Sequence, residues 1–182
     1  MRRLVVPGLV AVLAIGLVAL LIFGVLQTTD DSSIDQALAR GETPAATSIE
    51  LARLDGDGSA ALADYRGRVV LVNFFASWCP PCEREAPLLN RVQRTLEAQG
   101  GTVIGVAVDD TTADTRKFIA EHGARFPVWR DVDRRMSKAF ELKGLPESFV
   151  IDEQGNITAL ERQEITQDWV DESLRPLLDG QQ

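Results

Sequence analysis

From Leu4 to Leu26 the chain carries no charged residue and nearly every side chain is apolar; beyond it the pattern breaks into short alternations and runs. A helix rising about 1.5 Å per residue over that stretch crosses a hydrocarbon core of about 30 Å, which predicts a transmembrane anchor over residues 1–26. A cleaved signal peptide has a shorter apolar region, about 7–15 residues, and a small-residue cleavage site. Gly24-Val25-Leu26-Gln27-Thr28-Thr29 offers no such site. Residues 27–47 are polar and rich in Thr, Ser, Asp, Ala and Gly, with Ile34 to Ala39 able to form a turn or two of helix, and they read as a tether. The patterned region 48–179 reads as one domain and 180–182 as a tail.

Within the domain, Ile49 to Leu54 alternates apolar and polar residues, and Asp55-Gly56-Asp57-Gly58 supplies residues tolerant of positive φ, so a β-hairpin returning through Ser59 to Ala61 is expected. Leu62 to Gly67 reads as a short helical turn that sets Tyr65 against the body. Val69 to Phe75 is apolar on both faces, the signature of a central strand covered on each side. A helix from about Pro80 to Gln99 follows, with Leu89, Val92 and Leu96 as its inner stripe and Pro87 inside it, where the missing N–H should kink it. Gly100-Gly101 stops it, and Val103 to Val108 is a second apolar strand, parallel to the first across the helix. Thr112 to His122 reads as a helix closed by Gly123, Phe126 to Trp129 as a short edge strand because of Pro127, and Asp131 to Leu142 as another helix. Ser148 to Asp152 and Asn156 to Leu160 form an antiparallel pair, and Thr166 caps a last helix carrying Trp169, Val170, Leu174, Leu177 and Leu178.

Charge changes the picture at the ends. Arg2 and Arg3 precede the apolar span and Asp30, Asp31 and Asp35 follow it, so the positive-inside rule places the N-terminus in the cytoplasm and the domain on the outer or periplasmic face. The formal net charge is −8, and the region beyond Arg2 and Arg3 is more acidic still, which argues against nucleic acid or anionic lipid as a ligand.

The only two cysteines, Cys79 and Cys82, stand two residues apart where the first strand meets its helix. Such a pair can close a small-ring disulfide, and the helix N-terminus favours the Cys79 thiolate. A metal site is disfavoured, because zinc needs four ligands and the chain has two cysteines and a single histidine, His122. Cys79, at or next to the helix N-cap where a sulfur can be exposed, is assigned the attack on a target disulfide, and Cys82, one turn in, facing inward, the resolution of the mixed disulfide. Pro80 and Pro81 lack an amide N–H, which leaves the thiolate only the Cys82 amide and the helix dipole. Glu85, three residues after Cys82 and on the same helix face, is placed to take the Cys82 proton, its pKa raised by desolvation; the alternative is an acid favoured by the dipole, as Glu83 is.

Phe74-Phe75-Ala76-Ser77-Trp78-Cys79-Pro80-Pro81-Cys82, then Glu85 and Pro87, then Gly144-Leu145-Pro146-Glu147-Ser148-Phe149, resemble the thioredoxin superfamily, and within it the membrane-tethered TlpA-like and ResA-like thiol-disulfide oxidoreductases that include the cytochrome c biogenesis thioredoxins. The resemblance covers roughly residues 44 to 178. It implies an α/β thioredoxin-like fold: a mixed central sheet flanked by helices, with an N-terminal β-hairpin and an inserted helix and strand around residues 112 to 129, preceded by one transmembrane helix. It implies that Pro146 is a cis-proline opposite Cys79, and that Leu145 and Pro146 lend main chain to an extended substrate. Glu147 resembles the acid of the Pro-Glu-Thr segment in the cytochrome c branch, which points to a substrate contact, though Leu145 and Ser148 depart from it. Trp78 is either a contact surface or a packing residue. An acid at the Glu85 position is a family feature, and Asn73 stands where cytosolic thioredoxins carry a buried aspartate. The implied partners are client proteins with disulfides, such as apocytochrome c, and a membrane thiol transporter of the CcdA or DsbD kind as electron source, with no cofactor beyond the Cys79–Cys82 disulfide and no metal. Relatives that carry His between the cysteines are strong oxidants; lacking it, this chain is expected to be a reductant. The alternatives are a disulfide-forming oxidase and a Sco-like copper module, whose Cys-x-x-x-Cys spacing is one residue longer. A peroxidase would carry threonine where this chain has Ala76.

Overall fold

A computed structural model describes residues 14–18, 33–56 and 58–179. Residues 14–18 are helical and exposed; the rest of the expected anchor, residues 27–32 and the tail 180–182 lie outside the described residues. Among the described residues no helix is long and apolar enough to cross a membrane.

The chain from Ser33 onward forms one unit. Its sheet has seven strands: β1 (Leu51–Arg53), β2 (Ser59–Ala60), β3 (Val70–Phe75), β4 (Thr102–Val108), β5 (Val128–Asp131), β6 (Glu147–Ile151) and β7 (Ile157–Glu161). Their spatial order is β2-β1-β5-β4-β3-β6-β7. β3 runs parallel to β4 and β4 to β5, while β6, β7 and the β1–β2 hairpin pair antiparallel, so the sheet is mixed. The helices are α1 (Ser33–Ala39), α2 (Pro80–Glu97), α3 (Thr112–His122), α4 (Arg135–Ala139) and α5 (Gln167–Asp179), with a 3-10 turn at Leu62–Tyr65. This is the thioredoxin-like α/β architecture the motif implied.

Period-two alternation along β3 divides the core. Leu71 and Phe75 join Leu89, Val92 and Leu96 of α2 and Val170, Leu174 and Leu178 of α5. Val70, Val72 and Phe74 join Ile34 of α1, Met136 of α4, Trp129 and Phe149 on the opposite face. All six residues of β3 are buried, because both faces are covered. Tyr65 packs against Trp129, with ring centroids 5.8 Å apart.

Three expectations change. β5 is not an edge strand: the leading hairpin folds back so that Ala52 pairs with Arg130 and Arg53 with Trp129. Pro127 precedes the strand, where it needs no ladder donor, and its carbonyl accepts from Gly105 N at 2.9 Å. The helix expected over 131–142 shrinks to α4, because Asp131 belongs to β5. The buried Asp131 carboxylate accepts from Met136 N (3.1 Å), Ser137 N (2.7 Å) and Ser137 Oγ (2.6 Å), so it caps the short helix from the strand. The stretch expected as a tether is folded from Ser33 on. Ile34 and Ala37 are buried, Ala46 N donates to Gly155 O at 2.9 Å, and Ile157 N donates to Pro44 O at 2.8 Å.

Asp131→Ala strands two buried amides and a hydroxyl and is expected to cost about 3 kcal/mol. Urea denaturation checks this, and a loss under about 1 kcal/mol would contradict the capping role.

Candidate active site

The antiparallel register that sets Phe74 opposite Glu147 brings together the residues that follow β3 and those that precede β6. Because β4 is parallel to β3, the loop after Val108 emerges at the same end. Three segments distant in sequence therefore meet: the turn 76–79, the loop 109–111 and the loop 143–146.

The turn is gripped from the second segment. Ser77 donates through N and Oγ, both at 2.8 Å, to the Asp110 carboxylate, which also accepts from Thr111 N at 2.9 Å. The Trp78 indole N–H donates to Asp109 O at 3.0 Å, and Asp109, in the left-handed region at φ 51°, pairs with Arg134 at 3.4 Å. Sequence reasoning passed over Asp109 and Asp110, whose only local signal is a place just ahead of the α3 cap Thr111. Trp78 itself is 61% exposed, which favours a contact surface over packing.

Cys79 is the N-cap of α2, and Pro80 and Pro81 occupy its first positions, where a missing N–H costs no helical bond. The Cys79 sulfur accepts from Cys82 N at 3.3 Å. The two cysteines form a disulfide with S–S 2.12 Å and Cα–Cα 5.3 Å. The expectation of an exposed Cys79 sulfur is not met in this form: Cys79 is 4% exposed and Cys82 2%, both packed into the cluster under α2. A cleft of about 420 Å³ runs alongside, lined by Ser77, Trp78, Glu83, Asp110, Phe118 and His122. His122 ends α3, packs against Phe118 with the rings tilted 51° and their centroids 4.4 Å apart, and has its Nε2 3.9 Å from Glu83.

Beneath the disulfide, Glu85 is 1% exposed. Its Oε1 accepts from Asn73 Nδ2 at 2.7 Å and its Oε2 from Ile165 N at 3.1 Å, while the same Asn73 amide donates to Ser148 Oγ at 3.0 Å. Burial pushes the Glu85 carboxyl up to about 7; the bonds from Ile165 and Asn73 pull against that, and Glu164 nearby adds to the rise. Asn73 thus holds the Glu85 carboxylate from the strand before the motif. Spacing of three along α2 puts Glu85 and Cys82 on one helix face.

The third segment holds the Leu145–Pro146 peptide, which is cis. Leu145 is partly buried against both core clusters and Pro146 is buried. Glu147, expected to meet substrate, has no exposed surface. Its Oε1 accepts from Lys143 N (2.8 Å) and Gly144 N (2.7 Å), and its Oε2 pairs with Arg162. A carboxylate buried under the loop and committed to its backbone is a support for that loop and not a contact surface.

A carboxyl whose folded pKa is raised adds stability at low pH that is lost as pH rises through the folded value. Relative to Glu85→Gln, the native chain should therefore lose up to about 3 kcal/mol between pH 4.5 and pH 8. Denaturant titrations of both proteins across that range test it, and parallel stability curves would contradict it.

Comparison with known proteins agrees with this geometry. The AhpC/TSA family matches residues 43–160. The chain is 32% identical over 118 residues to the thiol-disulfide oxidoreductase ResA of Geobacillus kaustophilus, covering 63% of this chain and 68% of that protein. It is 34% identical over 157 residues to the thiol:disulfide interchange protein HelX of Rhodobacter capsulatus, covering 85% of each. Among solved structures, a thiol:disulfide interchange protein of the thioredoxin family from Chlorobium tepidum matches with TM-score 0.67 at 29% identity, over 75% of this chain and 97% of that one. A secreted thiol-disulfide isomerase from Corynebacterium glutamicum matches with TM-score 0.68 at 27% identity, over 73% and 84%.

Proposed function

Because the chain belongs to the AhpC/TSA family and is a thiol-disulfide oxidoreductase of the ResA and HelX type, we propose that it is a reductant of disulfides in client proteins, anchored in the membrane by its N-terminal apolar segment with the domain on the extracytoplasmic side. The observation that carries the reading is the stacking of roles along α2: a sulfur at the N-cap, a second cysteine one turn in, and a buried carboxylate one turn further.

In the reduced protein the Cys79 thiolate attacks one sulfur of the client disulfide, and the other client sulfur leaves as thiolate. Cys82 then gives its proton to Glu85, and its thiolate attacks the Cys79 sulfur. The second client sulfur leaves, so two electrons pass from the dithiol to the client and the Cys79–Cys82 disulfide closes. Glu85 is ready for this task at neutral pH because its carboxyl titrates near 7, which leaves a useful fraction ionised as acceptor. Trp78 and the main chain at Leu145 and Pro146 flank the client segment, and no cofactor beyond the dithiol takes part. A membrane thiol transporter of the CcdA or DsbD kind returns the electrons, and apocytochrome c, held reduced for haem attachment, is the client the resemblance favours.

The direction follows from donors. With Pro80 and Pro81 lacking N–H groups, the Cys82 amide is the donor the structure gives the Cys79 sulfur, so the thiolate is weakly stabilised and the couple is reducing. The reduction potential is expected nearer about −270 mV than about −120 mV, and a value at the oxidising end would overturn the reading.

Two further results are expected. Cys82→Ser should accumulate mixed disulfides through Cys79, seen as client adducts on non-reducing gels, and recovery of none would count against reduction of proteins. Glu85→Gln should slow reduction of an oxidised Cys-x-x-Cys-His peptide about 100-fold at pH 7 and abolish the rise in rate with pH centred near 7. An unchanged pH profile would remove Glu85 from the mechanism.

A further inference from the structure

Arg162 follows β7 with a side chain only 20% exposed. It faces two acids at once. Nη1 pairs with Glu147, while Nε and Nη2 reach the Asp35 carboxylate of α1 at 3.3 and 3.0 Å. Nη1 also donates to Glu141 O at 3.1 Å, and the guanidinium lies 5.8 Å from the Phe149 ring centroid. Lys143 Nζ completes the group, 2.9 Å from the same Asp35.

We infer that Arg162 is a positioning residue for client binding: clamped by Asp35 of α1, it fixes Glu147, whose carboxylate holds the Lys143 and Gly144 amides just ahead of Leu145 and Pro146. This rests on the reading that the loop 143–146 receives the client. A carboxylate with no exposed surface keeps its place only while a cation and donors satisfy it. When the guanidinium loses its clamp or its charge, Glu147 must move, and the two loop amides lose their acceptor. The client then has to order the loop as it binds, which weakens binding. The sulfur chemistry, set by α2, is untouched. The segment that looked like a passive tether therefore reaches the client site through Asp35, which pairs with both Arg162 and Lys143.

The test uses the full chain with Asp35→Asn, Arg162→Met and Arg162→Lys. Single turnovers of the pre-reduced protein are followed with an oxidised Cys-x-x-Cys-His peptide and with a small aromatic disulfide that needs only the sulfur. The half-saturating peptide concentration should rise about threefold in Asp35→Asn and about tenfold in Arg162→Met, with limiting rate and small-disulfide rate within twofold of the native chain. Arg162→Lys should recover most of the affinity. Hydrogen exchange at the Lys143 and Gly144 amides should accelerate in Asp35→Asn. If Arg162→Met does not fold, Asp35→Asn decides alone, because it removes only the clamp and keeps the Arg162 cation next to the buried Glu147. Unchanged peptide affinity together with unchanged amide protection in folded Asp35→Asn would overturn the inference, as would an equal fall in both substrate rates. If the native chain fails to reduce the peptide, the reductant reading fails instead, and the amide exchange still decides the role of Arg162.

Discussion

A sulfur serving as the cap of a helix is the constraint on which the rest of the molecule depends. Cys79 stands where Ser, Thr, Asp or Asn would ordinarily cap α2, and its Sγ takes the Cys82 amide that such a side chain would take. Two prolines occupy the positions whose amides would otherwise be unpaired, which costs the helix nothing and denies the sulfur further donors. One local arrangement thus starts the longest helix of the domain, holds the two sulfurs within bonding distance and limits how far the reduced thiolate is stabilised.

Holding that cap in place requires the sheet end to be built from three directions. The loop after β4 supplies Asp110 to Ser77 and a carbonyl to Trp78; β6 supplies Ser148 behind Asn73; the approach to α5 supplies the Ile165 amide to Glu85. Burying Glu85 is unfavourable for its ionised form, and the two hydrogen bonds it accepts offset only part of that, leaving its carboxyl near 7. In the proposed mechanism the local instability of the charged form is what makes the group useful: a carboxyl titrating near neutrality can take and return a proton where an exposed glutamate would stay ionised.

Around this centre, charge is used twice in different ways. Glu85 has no cation among its hydrogen-bond partners and shifts its titration, whereas Glu147, equally buried, is paired with Arg162 and holds backbone. The first arrangement suits the proton acceptor of the proposed mechanism; the second suits a group that anchors a loop. Asp131 is a further buried acid that holds backbone, capping α4 from its neighbouring strand through the Met136 and Ser137 amides.

Much of this was legible in the chain. The Cys-Pro-Pro-Cys run between an apolar strand and a helical stripe pointed to a redox pair, unbroken apolar runs located the central strands, helical spacing, a glycine stop and a threonine cap located the helices α2, α3 and α5, and three-residue spacing singled out Glu85. The strand and helix readings hold because each depends on neighbours within a turn or a strand. Pairings across the sheet were not legible, since they depend on which segments meet. Pro127 suggested an edge, yet β1 covers β5; Asp131 looked like the start of a helix, yet it closes a strand; residues 33–47 looked like a tether, yet Ile34 and Ala37 are buried in the domain. Glu147 shows the difference most sharply. Its resemblance to the acid of a Pro-Glu-Thr segment pointed to substrate, but only the fold, by bringing Arg162 and the Lys143 and Gly144 amides to its two oxygens, decided that it faces inward, because a carboxylate goes where its partners are.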